Sequence, residues 1–113
     1  MDYKVRFTEQ ARQDLDAIFI YYSTDFSENI AKKVFTRLQQ IINLLTFSPE
    51  GGINFDQKIG YSLYPENMLR MIVSKQYLLF YLIHEKEVHI LKIINSRTDY
   101  LNQLDHLFQH IQD

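Results

Sequence analysis

With 113 residues, 46% of them hydrophobic, the chain has about the usual length of one folded domain and enough apolar content to bury a core. Twelve basic side chains against fourteen acidic ones leave a formal charge of −2, which supplies no long-range field for steering toward nucleic acid. The absence of cysteine excludes disulfides, thiolate nucleophiles, cysteine zinc sites and iron–sulfur clusters.

A single domain over residues 1–113 is expected. The opening Met-Asp-Tyr-Lys-Val-Arg-Phe lacks the basic start and apolar run of a secretory signal, so a cytoplasmic location is expected. Every apolar run is cut well short of the roughly 18 residues a membrane span needs. A local basic face is still compatible with the balanced total, because Lys58, Arg70, Lys75, Lys92 and Arg97 all fall in the second half.

Tyr3 to Phe7 alternates apolar and basic residues as a short strand does, and Thr8 then reads as a helix N-cap with Glu9 in the first turn. Ala11, Leu15, Ile18, Phe19 and Tyr22 recur at spacings of three and four, which predicts an amphipathic helix of about four turns. Ser23 to Ser27 is the break. A second helix starts at Ser27 and Glu28, with a stripe of Ile30, Val34, Leu38, Ile41, Ile42 and Leu45 flanked by Ala31 and Phe35, and ends before Pro49-Glu50-Gly51-Gly52. So short a link makes the two helices an antiparallel hairpin.

Residues 53–67 are polar with scattered aromatics, contain Gly60 and Pro65, and predict an ordered loop with at most one short extended piece. Three strand-like runs follow over about 68–95, with turns at Ser74-Lys75-Gln76 and Glu85-Lys86-Glu87. Ser96 and Asp99 resemble a capping box, and Tyr100, Leu101, Leu104, Leu107, Phe108 and Ile111 mark one face of a terminal helix. The expected order is β-α-α-β-β-β-α, an α+β fold.

Arg70 and Arg97, carried by the first and last members of the meander, are the candidate functional residues, since a semi-buried guanidinium is costly unless it is used. On a rigid sheet the planar fork of Arg70 can grip a phosphate or carboxylate; equally, its stem can cover apolar surface while its head meets an acid. Arg97 and Tyr100 stand where strand passes to helix, a setting that favours anions; the plainer reading pairs Arg97 with Asp99 and packs Tyr100. Lys58 and Lys75 flank the meander and could complete a cationic, substrate-binding pocket, although solvated loop lysines are commoner. His106 and His110 are four apart, but no acidic third ligand shares their face, and His84 and His89 are isolated, so no metal and no cofactor is expected.

Tyr3-x-Val5-x-Phe7-Thr8, the helix Ala11-x-x-Asp14-Leu15, Pro49-x-Gly51, Leu69-Arg70, Tyr77-Leu78-x-Phe80-Tyr81, Val88-x-Ile90-Leu91-x-Ile93 and Arg97-x-Asp99-Tyr100 follow one another as in the RelE/ParE superfamily of type II toxins, which the chain resembles over nearly its whole length. The resemblance implies a helical hairpin on a small, twisted, mostly antiparallel sheet with a C-terminal helix. It implies a growth-inhibiting toxin, of the kind used in plasmid stabilisation, silenced by a cognate antitoxin in a hetero-oligomer. The target is either the ribosome and its messenger RNA, cut by a metal-independent endoribonuclease, or DNA gyrase, which is inhibited without nuclease chemistry.

On the nuclease branch the resemblance makes Arg70 and Arg97 a phosphate clamp, with Tyr100 stacking or aiding proton transfer and Lys58 or Lys75 adding charge. A general base is missing. The mildly acidic total and the Asp99-Tyr100 ending depart from that branch and look more ParE-like. A further alternative is an eroded site, leaving an antitoxin-bound regulatory binding module.

Overall fold

The computed structural model describes residues 2–64 and 66–108. Pro65, together with His110 and Ile111 of the expected terminal helix, lies outside the described residues. The chain runs β1 (Lys4–Phe7), α1 (Glu9–Asp25), α2 (Glu28–Phe47), a 3-10 turn (Pro49–Gly51), β2 (Ile53–Asn54), α3 (Phe55–Ile59), β3 (Arg70–Ser74), β4 (Tyr77–His84), β5 (Glu87–Asn95), a second 3-10 turn (Tyr100–Asn102) and α4 (Leu104–Phe108). Helices pack on a five-stranded sheet of order β1-β5-β4-β3-β2, in which β1 lies parallel to β5 and the other pairs are antiparallel.

Both helix starts follow from the residues expected to cap them. The Thr8 and Ser27 hydroxyls accept from the backbone N–H of Ala11 (3.1 Å) and Ile30 (3.2 Å), and only Phe26 and Ser27 separate the helices. Ala11, Ile18, Tyr22, Ala31, Leu38, Ile42 and Leu45 are buried between the hairpin and the sheet. Phe19 (40% exposed) and Ile30 (39%) depart from the expected stripe. Their turn of the hairpin projects past the sheet edge, where Phe19 meets only Phe35, at 5.3 Å between ring centroids.

The run from Tyr77 to Ile83 is almost continuously apolar because β4 is covered on both faces. Tyr77, Leu79 and Tyr81 meet the hairpin, while Leu78 and Phe80 meet Phe55, Leu104 and Phe108 beneath the other face. That lower layer includes α3, a helix that residues 53–67 were expected to lack. Asn54 caps it by accepting from Gln57 N–H, Gly60 ends it at φ 87°, and fully buried Phe55 anchors it edge-on to Phe80 at 4.9 Å. Five residues are too few for a helical period to show in sequence.

The β4–β5 register slips between Phe80 and Tyr81: Phe80 faces Lys92, Tyr81 faces Ile90, and Leu91 is the extra residue. This bulge puts Ile90 and Ile93, three apart, on the same face under the hairpin. The backbone groups around it are satisfied from α1 and its cap. Thr8 Oγ1 donates to Leu91 O (2.8 Å), and Asp14 Oδ2 accepts from Ile93 N–H (2.9 Å) while Oδ1 accepts from Lys92 Nζ (3.0 Å). The Thr-x-x-Ala-x-x-Asp spacing is therefore the complement of a bulge some 80 residues further along the chain.

The C-terminal segment also differs from expectation. No helix starts at Ser96; a 3-10 turn spans Tyr100–Asn102, and α4 begins only at Leu104. Leu101, expected in the apolar face, is 48% exposed.

Candidate functional site

The residues singled out from sequence are distributed over the sheet rather than gathered. Arg70 opens β3 and lies opposite Tyr81, whereas Lys75 follows Ser74 at the far end of the same strand. Arg97 lies beyond Asn95, which faces Tyr77, so along the strand direction it is about 13 Å or more from Arg70, and two strand spacings of about 5 Å add to that. Arg70 and Arg97 therefore do not form a cationic pair at one end of the sheet.

Each has its own local surroundings. Arg70 is half-buried, and its Nη1 donates to Gly52 O (3.4 Å), beside the Tyr81 hydroxyl that donates to Pro49 O (2.7 Å) and accepts from Gly52 N–H (2.9 Å). This network pins the connection leaving α2. A Cβ on Gly52 would stand 2.6 Å from the Tyr81 oxygen and 2.7 Å from Met71 O, so only glycine lets the backbone approach. Burial pushes the Tyr81 phenol up, although the Gly52 hydrogen bond and nearby Arg70 pull the other way.

Arg97 is exposed, not semi-buried, and its backbone N–H donates to Asn95 Oδ1 (2.9 Å). Asp99 is engaged instead by Asn102, whose Nδ2 lies 3.1 Å from both carboxylate oxygens, and no helix N-terminus stands behind Arg97. Tyr100 packs its ring toward Phe80 (6.1 Å) and Phe55 (6.4 Å) on the lower face. Lys58 is exposed near the end of α3. His106 is exposed, and His89, far from isolated, lies 3.0 Å from Glu87 Oε1, which shares its carboxylate with Arg6 (2.9 Å).

Lys75 alone among these residues borders a pocket together with a second cation. The pocket lies where the end of α1, the middle of α2 and the β3–β4 turn meet, and Tyr22, Arg37, Ser74, Gln76 and Tyr77 contribute to its wall. Lys75 holds φ at 56°, the left-handed value that a two-residue hairpin turn requires of its first residue, which turns its side chain out at this corner. Within the wall, Gln76 Nε2 and the Tyr77 hydroxyl (3.2 Å) both donate to the Tyr22 oxygen. Burial, with the Tyr22 hydrogen bond, pushes the Tyr77 phenol up to about 12. Arg37 escaped the sequence reading because it sits on the polar face of α2, where a cation gives no signal by itself.

The tip of the hairpin is apolar and open. Ile20 (61% exposed), Tyr21 (49%) and Phe26 (55%) stand in solvent, with Tyr21 and Phe26 edge to face at 5.7 Å. No helix among the described residues is long and apolar enough to cross a membrane.

Residues 5–100 match the family model described as the ParE toxin of the parDE type II toxin–antitoxin system. Among solved structures the chain is similar to a chain of the chromosomal ParDE toxin–antitoxin system from P. aeruginosa, with 21% identity over 84% of this chain and 97% of the other and a TM-score of 0.66. It is also similar to a chain of the archaeal RelE–RelB complex from Pyrococcus horikoshii OT3, with 17% identity over 86% and 98% and a TM-score of 0.58. At these identities the structural likenesses speak to the fold. No curated protein sequence matches.

Proposed function

We propose that this chain, which belongs to the ParE toxin family of type II toxin–antitoxin systems, arrests growth by holding DNA gyrase through a protein-binding surface rather than by cutting messenger RNA. One observation carries this reading: Arg70, Lys75 and Arg97 are spread over the length of the sheet, and Tyr100 is packed into the lower core. In-line attack of a ribose 2′-oxygen on its phosphate needs cations within a few ångströms of one pentacoordinate phosphorus, together with an acid and a base. The candidate residues do not converge on such a point. The open apolar hairpin tip supports a binding role, because solvent-facing aromatics in mutual contact are what a protein partner covers. A net charge of −2 further disfavours a ribosomal RNA surface.

The experiment is controlled expression without antitoxin, with messenger 5′ ends and chromosomal DNA breaks followed in one culture and supercoiling by purified gyrase assayed beside it. Growth arrest with DNA breaks, loss of supercoiling and no new cuts within codons is expected. Codon-phased cuts with normal supercoiling would establish the nuclease branch instead, and undisturbed growth would favour the eroded, regulatory alternative.

A further inference from the structure

We propose that the pocket between α1, α2 and the β3–β4 turn is a carboxylate receptor that seats an acidic side chain of the cognate antitoxin. It is small, about 40 Å³, enough for the end of one side chain rather than a cofactor. Val34 and Leu38 form an apolar wall. Opposite them the polar groups are all donors without a partner of their own.

Ser74 is 5% exposed, and its hydroxyl bonds no other side chain or backbone group among the described residues. The Tyr22 oxygen already accepts from Gln76 and Tyr77, so its one proton remains to be given away. Arg37 and Lys75 stand at the rim, and neither has a carboxylate within ion-pair distance among the described residues. Two cations and two hydroxyl donors around one small cavity, with an apolar backing that strengthens each interaction, match a carboxylate. The raised affinity of the Tyr77 phenol for its proton keeps anionic charge off the pocket itself.

The approach is open to an extended chain. β2 pairs only with Arg70 and Met71, leaving the outer edge of β3 from Ile72 to Ser74 uncovered right up to the pocket. The antitoxin is the occupant because charge complementarity calls for an acidic segment and a toxin of this family has the antitoxin as its partner; to that extent the proposal rests on the toxin reading.

Calorimetric titration of the purified chain with the antitoxin encoded beside it, using Arg37→Glu, Lys75→Asn and Tyr22→Phe, tests this. Asparagine tolerates the left-handed turn position, and the first two changes are on the surface, so the melting temperature should not move. Each charge change should weaken binding at least about tenfold and flatten its salt dependence, with growth arrest by the free chain intact. Tyr22→Phe should give a smaller loss.

Unchanged antitoxin affinity in Arg37→Glu and Lys75→Asn overturns the proposal. So does loss of growth arrest with antitoxin binding intact, which would hand the pocket to the target. Competition by inorganic phosphate far better than by acetate overturns the carboxylate. A chain that binds its antitoxin with the expected dependence yet never arrests growth would sink the toxin reading and leave this one standing.

Discussion

Thr8→Val isolates the link between the N-terminal helix and the β5 bulge. Valine keeps the shape of threonine and suits the extended backbone at this position (φ −69°, ψ 166°), so the perturbation is the loss of one hydroxyl in a site with no solvent access. That hydroxyl makes two hydrogen bonds, accepting from Ala11 N–H and donating to Leu91 O. Losing a helix cap costs about 1 kcal/mol, and leaving a buried carbonyl unpaired costs about 1–3 kcal/mol more. The total of about 2–4 kcal/mol corresponds, at about 4 °C per kcal/mol for a chain of this size, to a melting temperature lower by about 8–16 °C. Urea unfolding followed by circular dichroism, with an unchanged slope, measures it directly. Thr8→Ser is the control: it keeps both hydrogen bonds and loses one methyl, which costs about 1 kcal/mol. A Thr8→Val protein within 3 °C of the parent ( puts that at under about 1 kcal/mol), or a serine variant less stable than the valine one, would refute the reasoning.

Asp14→Ala should destabilise by about 3 kcal/mol in the same assay, since it strips Ile93 N–H of its acceptor and leaves the Lys92 ammonium without its carboxylate; Asp14→Asn, which can still accept from Ile93, should lose less. Gly52→Ala should cost about 1–3 kcal/mol, because Tyr81 must abandon Pro49 or the Met71 carbonyl must shift, and an unchanged urea midpoint would refute the close approach. The Tyr64 and Tyr77 phenols, both pushed up to about 12 mainly by burial, stay protonated in the folded chain where the unfolded chain would ionise near 10.0. Their folded values are raised, so the stability they contribute is whole below pH 10 and is lost as pH rises toward 12. Phenolate absorbance should show several of the eight tyrosines silent until above about pH 11 and all titrating near 10 in urea; eight ordinary titrations in the folded chain would refute the burial.

What could be read from the residues was what their neighbours in sequence determine. Thr8 and Ser27 cap helices because a hydroxyl there faces the N–H groups three residues on, and the turns at Lys75 and Glu85 follow from the ends of apolar runs. Arg70 and Arg97 misled because their separation depends on register: which residue of β4 faces β3 and which faces β5 is set across the sheet, and no local pattern contains it. The pocket was invisible for the same reason. Tyr22, Arg37 and Ser74 are each unremarkable on their own element, and only the packing of three elements turns them toward one cavity. The bulge at Leu91 lies between these cases, since Asp14 belonged to the family-like pattern while its partner, Ile93 N–H, did not.

The parallel pairing of β1 with β5 joins Lys4 to Glu87 and Phe7 to Ile90, across more than 80 residues of chain. A ribosome releasing this protein therefore exposes β1 long before the strand that must receive it exists. The helical hairpin can form at once from local contacts, but it has no finished sheet to rest on until β5 emerges, and closing so long a loop is slow. Both the pocket and the hairpin platform are completed only in the last stage of synthesis. A truncated product ending before residue 87 should then be harmless, so that interrupted translation of a growth-arresting protein is safe for the cell that makes it.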